Sequence, residues 1–107
     1  MTLEGSSLMK LDKEAYHRFL LKLIERYFPN ICSDVGREGV YAPLTGRSIA
    51  MRTNDLLSLY MLLCDLYGKK IQIKDVYSFW CIDGIATLLM EYENEDTQRI
   101  IRRELEK

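Results

Sequence analysis

Apolar residues recur at three- and four-residue steps in three stretches of the chain, which is the spacing of one face of an α-helix. The first stretch predicts a helix that begins after Asp12 and ends near residue 28, where Pro29 and Asn30 follow. The Asp12 carboxylate can accept hydrogen bonds from the first turn. The predicted apolar face consists of Leu20, Leu23, Ile24, Tyr27 and Phe28.

The second stretch predicts a helix over residues 53–67, and it is the clearest of the three. Thr53 or Asn54 is expected to cap the first turn. Gly68 is expected to end the helix, because glycine enters the left-handed conformation without a steric penalty. The predicted core face consists of Leu56, Leu59, Tyr60, Leu63 and Tyr67.

The third stretch contains Ile82, Ile85, Ala86 and Leu89 and predicts a further helix despite Gly84. From residue 94 onward we expect a charged helix or a continuation of the preceding one, in which Glu95 and Arg99 form an ion pair. Residues 69–80 are too few for another long helix, so they predict a loop with one or two helical turns.

Residues 29–52 have no sustained hydrophobic period and contain two prolines and three glycines. They predict a long connection, a feature that is uncommon in compact domains and often functional. The apolar residues expected to anchor this connection to the core are Val40, Tyr41, Leu44, Ile49 and Met51. Residues 1–10 predict a flexible leader, which leaves residues 11–107 as a single helical domain.

Composition narrows the functional classes. A chain of 107 residues with 48% apolar content supports one hydrophobic core. Its 15 basic and 16 acidic residues argue against a nucleic-acid binder, which requires clustered positive charge. No stretch reaches the ~18 apolar residues of a membrane span, and no signal peptide is recognisable. Three cysteines match neither a disulfide framework nor a zinc site, which is typical of reduced thiols in the cytoplasm. We therefore expect a cytoplasmic protein without membrane contact, and we expect it to be a monomer.

The order of predicted elements, long helix, long loop, helix, short helix and helix, resembles the acyl and peptidyl carrier protein fold. The match covers about residues 44–90 and includes the loop residues Leu44 and Ile49 and the pairs Cys81-Ile82 and Ile85-Ala86. The Leu-x-Gly-Arg-x-Ile segment, formed by Leu44, Gly46, Arg47 and Ile49, resembles carrier-related small proteins of bacterial peptide-maturation systems. The resemblance implies an all-α four-helix bundle with a long loop between helices 1 and 2 and an extended charged C-terminal helix.

The chain departs from carriers at the site of their chemistry. In the family, a serine at the start of the second helix carries phosphopantetheine, but the Asp-Ser-Leu motif is here Arg52-Thr53-Asn54. The β-methyl group of threonine crowds its hydroxyl, so we expect no cofactor and no catalytic residue. We therefore expect a carrier-like accessory or binding protein that engages an enzyme or precursor peptide in a biosynthetic or peptide-maturation pathway. The alternative is a true carrier with phosphopantetheine at Thr53, or less readily at Ser48.

The charges around the second helix are also reversed relative to carriers, which usually present an acidic helix to basic partners. This helix carries only Asp55 and Asp65, and its flanking cations are Arg47, Arg52, Lys69, Lys70 and Lys74. Electrostatic complementarity therefore favours an acidic protein or peptide as the partner. Three aromatic residues between 77 and 80 cannot all point inward, so one of them is expected at the surface. The predicted partner-binding residues are Arg47, Arg52, Asn54, Tyr77 and Trp80.

A small thiol enzyme is a remote alternative, because a cysteine and a histidine that are distant in sequence can meet in the fold. The candidates are His17 with Cys32, Cys64 or Cys81. Cys64 and Cys81 lie beside predicted core positions, where cysteine usually behaves as a small hydrophobic residue. A single histidine cannot supply a multi-histidine metal site, so we expect no bound metal.

Overall fold

The computed structural model describes residues 10–49, 51–72 and 79–107, and within these ranges the chain forms five α-helices and no strand. We label them in chain order as α1 Lys13–Tyr27, α2 Pro29–Glu38, α3 Thr53–Tyr67, α4 Ile82–Met90 and α5 Glu95–Glu106. The all-helical prediction is confirmed. None of the helices in the described ranges combines the length and apolar character needed to cross a bilayer. The leader predicted for residues 1–10 lies outside these ranges except for its last residue. Residues 73–78, half of the segment 69–80 for which helical turns are predicted, also lie outside them.

Helix α1 begins where the sequence predicts. The Asp12 carboxylate accepts a hydrogen bond from the Ala15 N–H at 2.9 Å and caps the first turn. The inner face of the helix is buried and consists of Ala15, Tyr16, Phe19, Leu20, Leu23 and Ile24. Tyr27 is wrong as a core residue: its side chain is exposed and lies under the Arg26 guanidinium, because the helix ends there and the chain turns.

The long connection predicted for residues 29–52 is wrong in its first ten residues, which form α2. Pro29 occupies a position in the first turn, where its missing N–H costs nothing and its fixed φ suits the helix. Ile31 and Val35 are four positions apart and face the core. The helix ends at Gly39, whose φ of 93° favours glycine. The described ranges thus hold five helices rather than four, and the connection before α3 covers only residues 39–52.

This shorter connection is anchored to the core as predicted by Leu44, Ile49 and Met51, all of which are buried. Val40 is only partly buried. Tyr41 is wrong as an anchor, because it lies in a turn and is 73% exposed.

Helix α3 has the predicted bounds, Thr53–Tyr67, and ends at Gly68 with the expected left-handed conformation, φ 67° and ψ 23°. Helices α4 and α5 are separate, which decides between the two alternatives for the C-terminal residues. Asn94 accepts a hydrogen bond from the Thr97 N–H at 2.9 Å and begins α5 as a new helix. The Glu95–Arg99 ion pair is present at 3.6 Å.

Helix α1 lies at the centre of the bundle, packing against α2, α4 and α5, while α3 packs on α5. One continuous apolar core joins all five helices. His17 ties α1 to α4, since its Nε2 lies 2.9 Å from Asp83 Oδ1. Helix α3 therefore sits at the edge of the bundle, with one side on the core and the other free of the described elements.

Candidate functional site

The outer face of α3 is the exposed side that points away from the core. It consists of Thr53, Asn54, Leu57, Met61 and Asp65, all of them exposed. Leu57 is 55% exposed and Met61 57%. These two residues are four positions apart and therefore adjacent on the helix surface. The opposite side of the helix is buried and consists of Leu59, Leu63 and Tyr67.

Helix α3 is apolar around most of its circumference, and its only charged residues are Asp55 and Asp65. A helix at the edge of a protein normally has a polar outer side, whereas one that is apolar on all sides is normally covered on all sides. Leu57 and Met61 occupy the outer side here. The sequence contained this signal, because the helix has more apolar residues than one face can hold.

The first turn of α3 is capped differently from the prediction. Thr53 and Asn54 are already helical, and the cap position belongs to Arg52. The Asp55 carboxylate accepts a hydrogen bond from the Arg52 N–H at 3.2 Å, as the third residue of a capping box does. Within the described residues the Thr53 hydroxyl has no hydrogen-bond partner, and the residue is exposed. Thr53, which the carrier resemblance predicts to replace the serine, is therefore exposed to solvent and its hydroxyl has no partner within the described ranges.

The connection before α3 is held to the start of α4 by backbone hydrogen bonds. The Leu44 N–H donates to the Trp80 carbonyl at 2.8 Å, and the Met51 N–H donates to the Leu44 carbonyl at 3.0 Å. These bonds close the turn that contains Arg47 and bring it to the beginning of α3. Arg47 and Arg52 are both exposed.

Of the three aromatic residues predicted to compete for the interior, Phe79 is buried and packs edge-on against Tyr60 of α3, with ring centroids 6.0 Å apart. Trp80 is 52% exposed. The preceding residue, Phe79, packs on α3, and the Trp80 carbonyl accepts a hydrogen bond from the connection before α3. Trp80 is therefore close to α3. Tyr77 and Lys74 lie outside the described residues. Of the predicted partner-binding residues, Arg47, Arg52, Asn54 and Trp80 are thus at the surface.

An open groove of about 450 Å³ lies at the C-terminal end of α3. The Tyr60 hydroxyl donates to the Ile71 carbonyl at 2.6 Å, and the Ile71 N–H donates to Cys64 Sγ at 3.4 Å. These contacts hold the chain after Gly68 against the helix. The residues lining the groove are Tyr60, Met61, Cys64, Asp65, Gly68, Lys69 and Lys70. The groove shares Met61 and Asp65 with the outer face and extends it.

Three of the four residues of the thiol-enzyme alternative have other partners, and the fourth is Cys32. His17 Nε2 is bonded to Asp83, and Cys81 Sγ accepts from the Gly84 N–H at 3.4 Å as the cap of α4. Cys64 accepts from Ile71, as described above. Cys32 is partly buried beside a separate groove between α1 and α5. No group of three or more metal-ligating side chains occurs in the described part of the chain.

A partly buried polar cluster that the sequence did not predict surrounds Glu93, in the turn before α5. The Glu93 carboxylate accepts hydrogen bonds from the Tyr16 hydroxyl, from Gln98 Nε2 at 2.7 Å and from the Leu11 N–H at 3.1 Å. Burial alone raises the pKa of Glu93, but these hydrogen bonds outweigh it and hold that pKa below its usual value. Burial, together with the bond to Glu93, raises the pKa of Tyr16.

Nearby, the Tyr67 hydroxyl is buried and has no hydrogen-bond partner among the described residues, and burial and the Glu93 charge raise its pKa. Because its partners are distant in sequence, this cluster has no local signature. Its hydrogen bonds join α1 to α5, so its first role is to fix the part of the bundle on which α3 packs. Comparison of the chain with protein-family models, curated proteins and solved structures finds no match. The function of the protein is therefore inferred from the residues of the candidate site.

Proposed function

We propose that the protein is a non-catalytic, carrier-like accessory or binding protein that engages an enzyme or precursor peptide through the outer face of α3. The exposure of Leu57 and Met61 at the centre of that face carries the proposal. Burying two such side chains under a partner is favourable by about 25 cal/mol for each Å² of apolar surface removed from water. The same burial explains why a helix at the edge of the bundle retains apolar residues on both sides.

The position of this face supports the carrier-like interpretation. The resemblance places α3 at the second helix of carriers, which is the element that they present to partner enzymes. Arg52 and Thr53 stand where the family has its acidic residue and serine. The chain thus retains an exposed recognition helix and has altered the residues that would hold the prosthetic group. A biosynthetic or peptide-maturation pathway is the setting that the resemblance suggests.

Site-specific photo-crosslinking in the native cell tests this proposal. A photoreactive residue replaces Ser58, which is exposed on α3 and borders the outer face. The matched control carries it at Arg103, which is exposed on α5. We expect one protein or peptide to crosslink at position 58 and not at 103, and we expect Leu57→Ser with Met61→Ser to abolish the crosslink. Equal crosslinking from both positions, or none at 58, would contradict the proposal.

One observation favours a second function, that of a true carrier. The Thr53 hydroxyl is exposed and is not used as a helix cap, so it is free to accept phosphopantetheine. Intact mass after co-expression with a broad-specificity phosphopantetheinyl transferase tests this function. A gain of one phosphopantetheine mass that disappears in Thr53→Ala would establish the carrier; loss in Ser48→Ala instead would assign it to Ser48. An unchanged mass supports the accessory function.

A further inference from the structure

The charges at the two ends of α3 define what the outer face can bind. Arg47 and Arg52 are exposed at its start, and Lys69 and Lys70 are exposed just after its end. Among the described residues, none of these four cations has a carboxylate within 4.0 Å. Two pairs of cations without a carboxylate partner in the described part of the chain therefore flank the apolar centre formed by Leu57 and Met61.

Some cations elsewhere in the described ranges are paired within the chain, whereas others, such as Arg18 and Arg103, have no carboxylate within 4.0 Å among the described residues. Arg26 pairs with Glu104 at 3.1 Å, and Arg37 pairs with Asp34 at 2.9 Å. Arg99 pairs with both Glu95 and Asp96. The four cations at the ends of α3 thus belong to the group whose charge is available to a partner, and they differ from the others in flanking an exposed apolar centre.

Helix α3 itself carries two negative groups, which do not cancel the charge of the four flanking cations. Asp55 is partly buried and already accepts the Arg52 N–H. Asp65 is exposed at the edge of the groove. The dipole of α3 adds positive potential at the Arg52 end and some negative potential at the Lys69 end, although its effect is only about half a charge.

We propose that the outer face of α3 binds an amphipathic helix of a partner protein that carries apolar side chains at its centre and acidic residues at both ends. This inference rests on the proposed function and specifies its partner. The partner's apolar residues pack on Leu57 and Met61 and enter the groove beside Tyr60. Its acidic residues meet Arg47 and Arg52 at one end and the two lysines at the other.

Geometry favours a helical partner of defined length. Helix α3 has 15 residues and is therefore about 22 Å long at a rise of 1.5 Å for each residue. The acidic groups of the partner are thus expected about four turns apart. The described ranges contain no strand whose edge could pair with an extended peptide, whereas a side-by-side arrangement of helices needs only the apolar stripe that α3 already presents.

Two other occupants fit less well. In a second copy of this chain, the outer faces would place the arginine end against an arginine or a lysine end, in either orientation, and the like charges would repel. An anionic membrane would attract the four cations, but it would also meet Asp65 beside the apolar centre. A partner helix can place a small or cationic side chain opposite Asp65 and so avoid repulsion. A uniformly anionic membrane surface cannot avoid it.

The direct test uses a synthetic helical peptide of about 20 residues, with glutamates in its first and last turns and leucines spaced by four at its centre. The matched control peptide has lysines in place of the glutamates. We expect the glutamate peptide to bind at least about tenfold more tightly and to perturb the amide resonances of Leu57, Met61 and Lys70. Equal affinities, perturbations confined to other helices, or binding of phosphatidylserine vesicles in place of the peptide would overturn the inference.

The crosslinking assay at position 58 separates this inference from the function on which it rests. One variant removes the apolar centre by Leu57→Ser and Met61→Ser, and the other reverses the ends by Arg52→Glu and Lys70→Glu. Loss of the crosslink in both variants is the expected result. Loss of the crosslink in the Leu57→Ser and Met61→Ser variant alone would agree with the proposed function but overturn the inference that the partner is acidic. Retention in both would overturn the two proposals together.

Discussion

The Tyr16 hydroxyl donates a hydrogen bond to Glu93 Oε1 and so joins α1 to the turn before α5 across 77 positions of sequence. Gln98 and the Leu11 N–H donate to the other oxygen of the same carboxylate. A partly buried charge with several donors is stable as a charge and costly to leave without them. The ionised Glu93 carboxylate therefore contributes to holding α1 against α5, the helix on which α3 packs.

The stability of the protein is expected to fall in acid because of Glu93. Its pKa is lowered in the folded state, so its contribution is complete above the unfolded pKa of about 4.3 and is lost as the pH falls through the lower folded value. Glu93→Gln should lower the free energy of unfolding by about 2 kcal/mol at neutral pH and flatten this acid dependence.

Urea unfolding from neutral pH down to about pH 3, which passes below the unfolded pKa of the carboxylate, measures both effects. Glu106→Gln is the matched control, because Glu106 is exposed at the end of α5. The control should leave the stability and its pH profile nearly unchanged. An acid dependence of equal slope in Glu93→Gln and the wild type would show that Glu93 is not its source.

Two tyrosines in the same region should respond oppositely to loss of the hydroxyl. Tyr16→Phe removes a hydrogen bond to a partly buried carboxylate and should cost about 1.5–3 kcal/mol of stability. Tyr67→Phe removes a buried hydroxyl that has no partner among the described residues, so it should be neutral or slightly stabilising. Thermal unfolding of the two variants compares them directly. A large loss in Tyr67→Phe would reveal a partner for its hydroxyl.

Helix α2 can be tested at Gly36, which lies within the helix and is exposed. A Cβ atom there would meet no atom within 4 Å. Gly36→Ala should therefore raise the free energy of unfolding by about 0.5–1 kcal/mol, as alanine does in a helix interior. Gly68→Ala is the control: at φ 67° alanine is strained, and the same substitution should destabilise by about 1 kcal/mol. No gain at Gly36 would argue against a helix there.

Sequence reasoning located α3 because its two ends and its inner face are all local features. The leucine spacing defines the inner face, and Gly68 ends the helix with the backbone conformation that glycine favours. It missed α2 because Pro29 is compatible with both the end of one helix and the start of the next. It assigned the cap to Thr53 because a hydroxyl residue is the usual choice, whereas Asp55 acting on the Arg52 N–H serves instead.

The candidate site was predicted in part. The cations Arg47 and Arg52 and the exposure of an aromatic residue follow from charge and from the crowding of large side chains in a short segment. Leu57 and Met61 could have been recognised, because both fall on the side of the helix opposite its core residues. The contact between Tyr16 and Glu93 could not, because it depends on how α1 and α5 pack.

The affinity of the protein for the partner recovered by crosslinking tests the central claim most directly. Isothermal titration calorimetry compares the wild type with Leu57→Ser and Met61→Ser combined, and with Tyr27→Ser, which removes an equally exposed aromatic side chain at the end of α1. If the outer face of α3 is the docking surface, the first variant should lose at least about tenfold in affinity and the second variant should lose none. Equal affinity in all three proteins would contradict it.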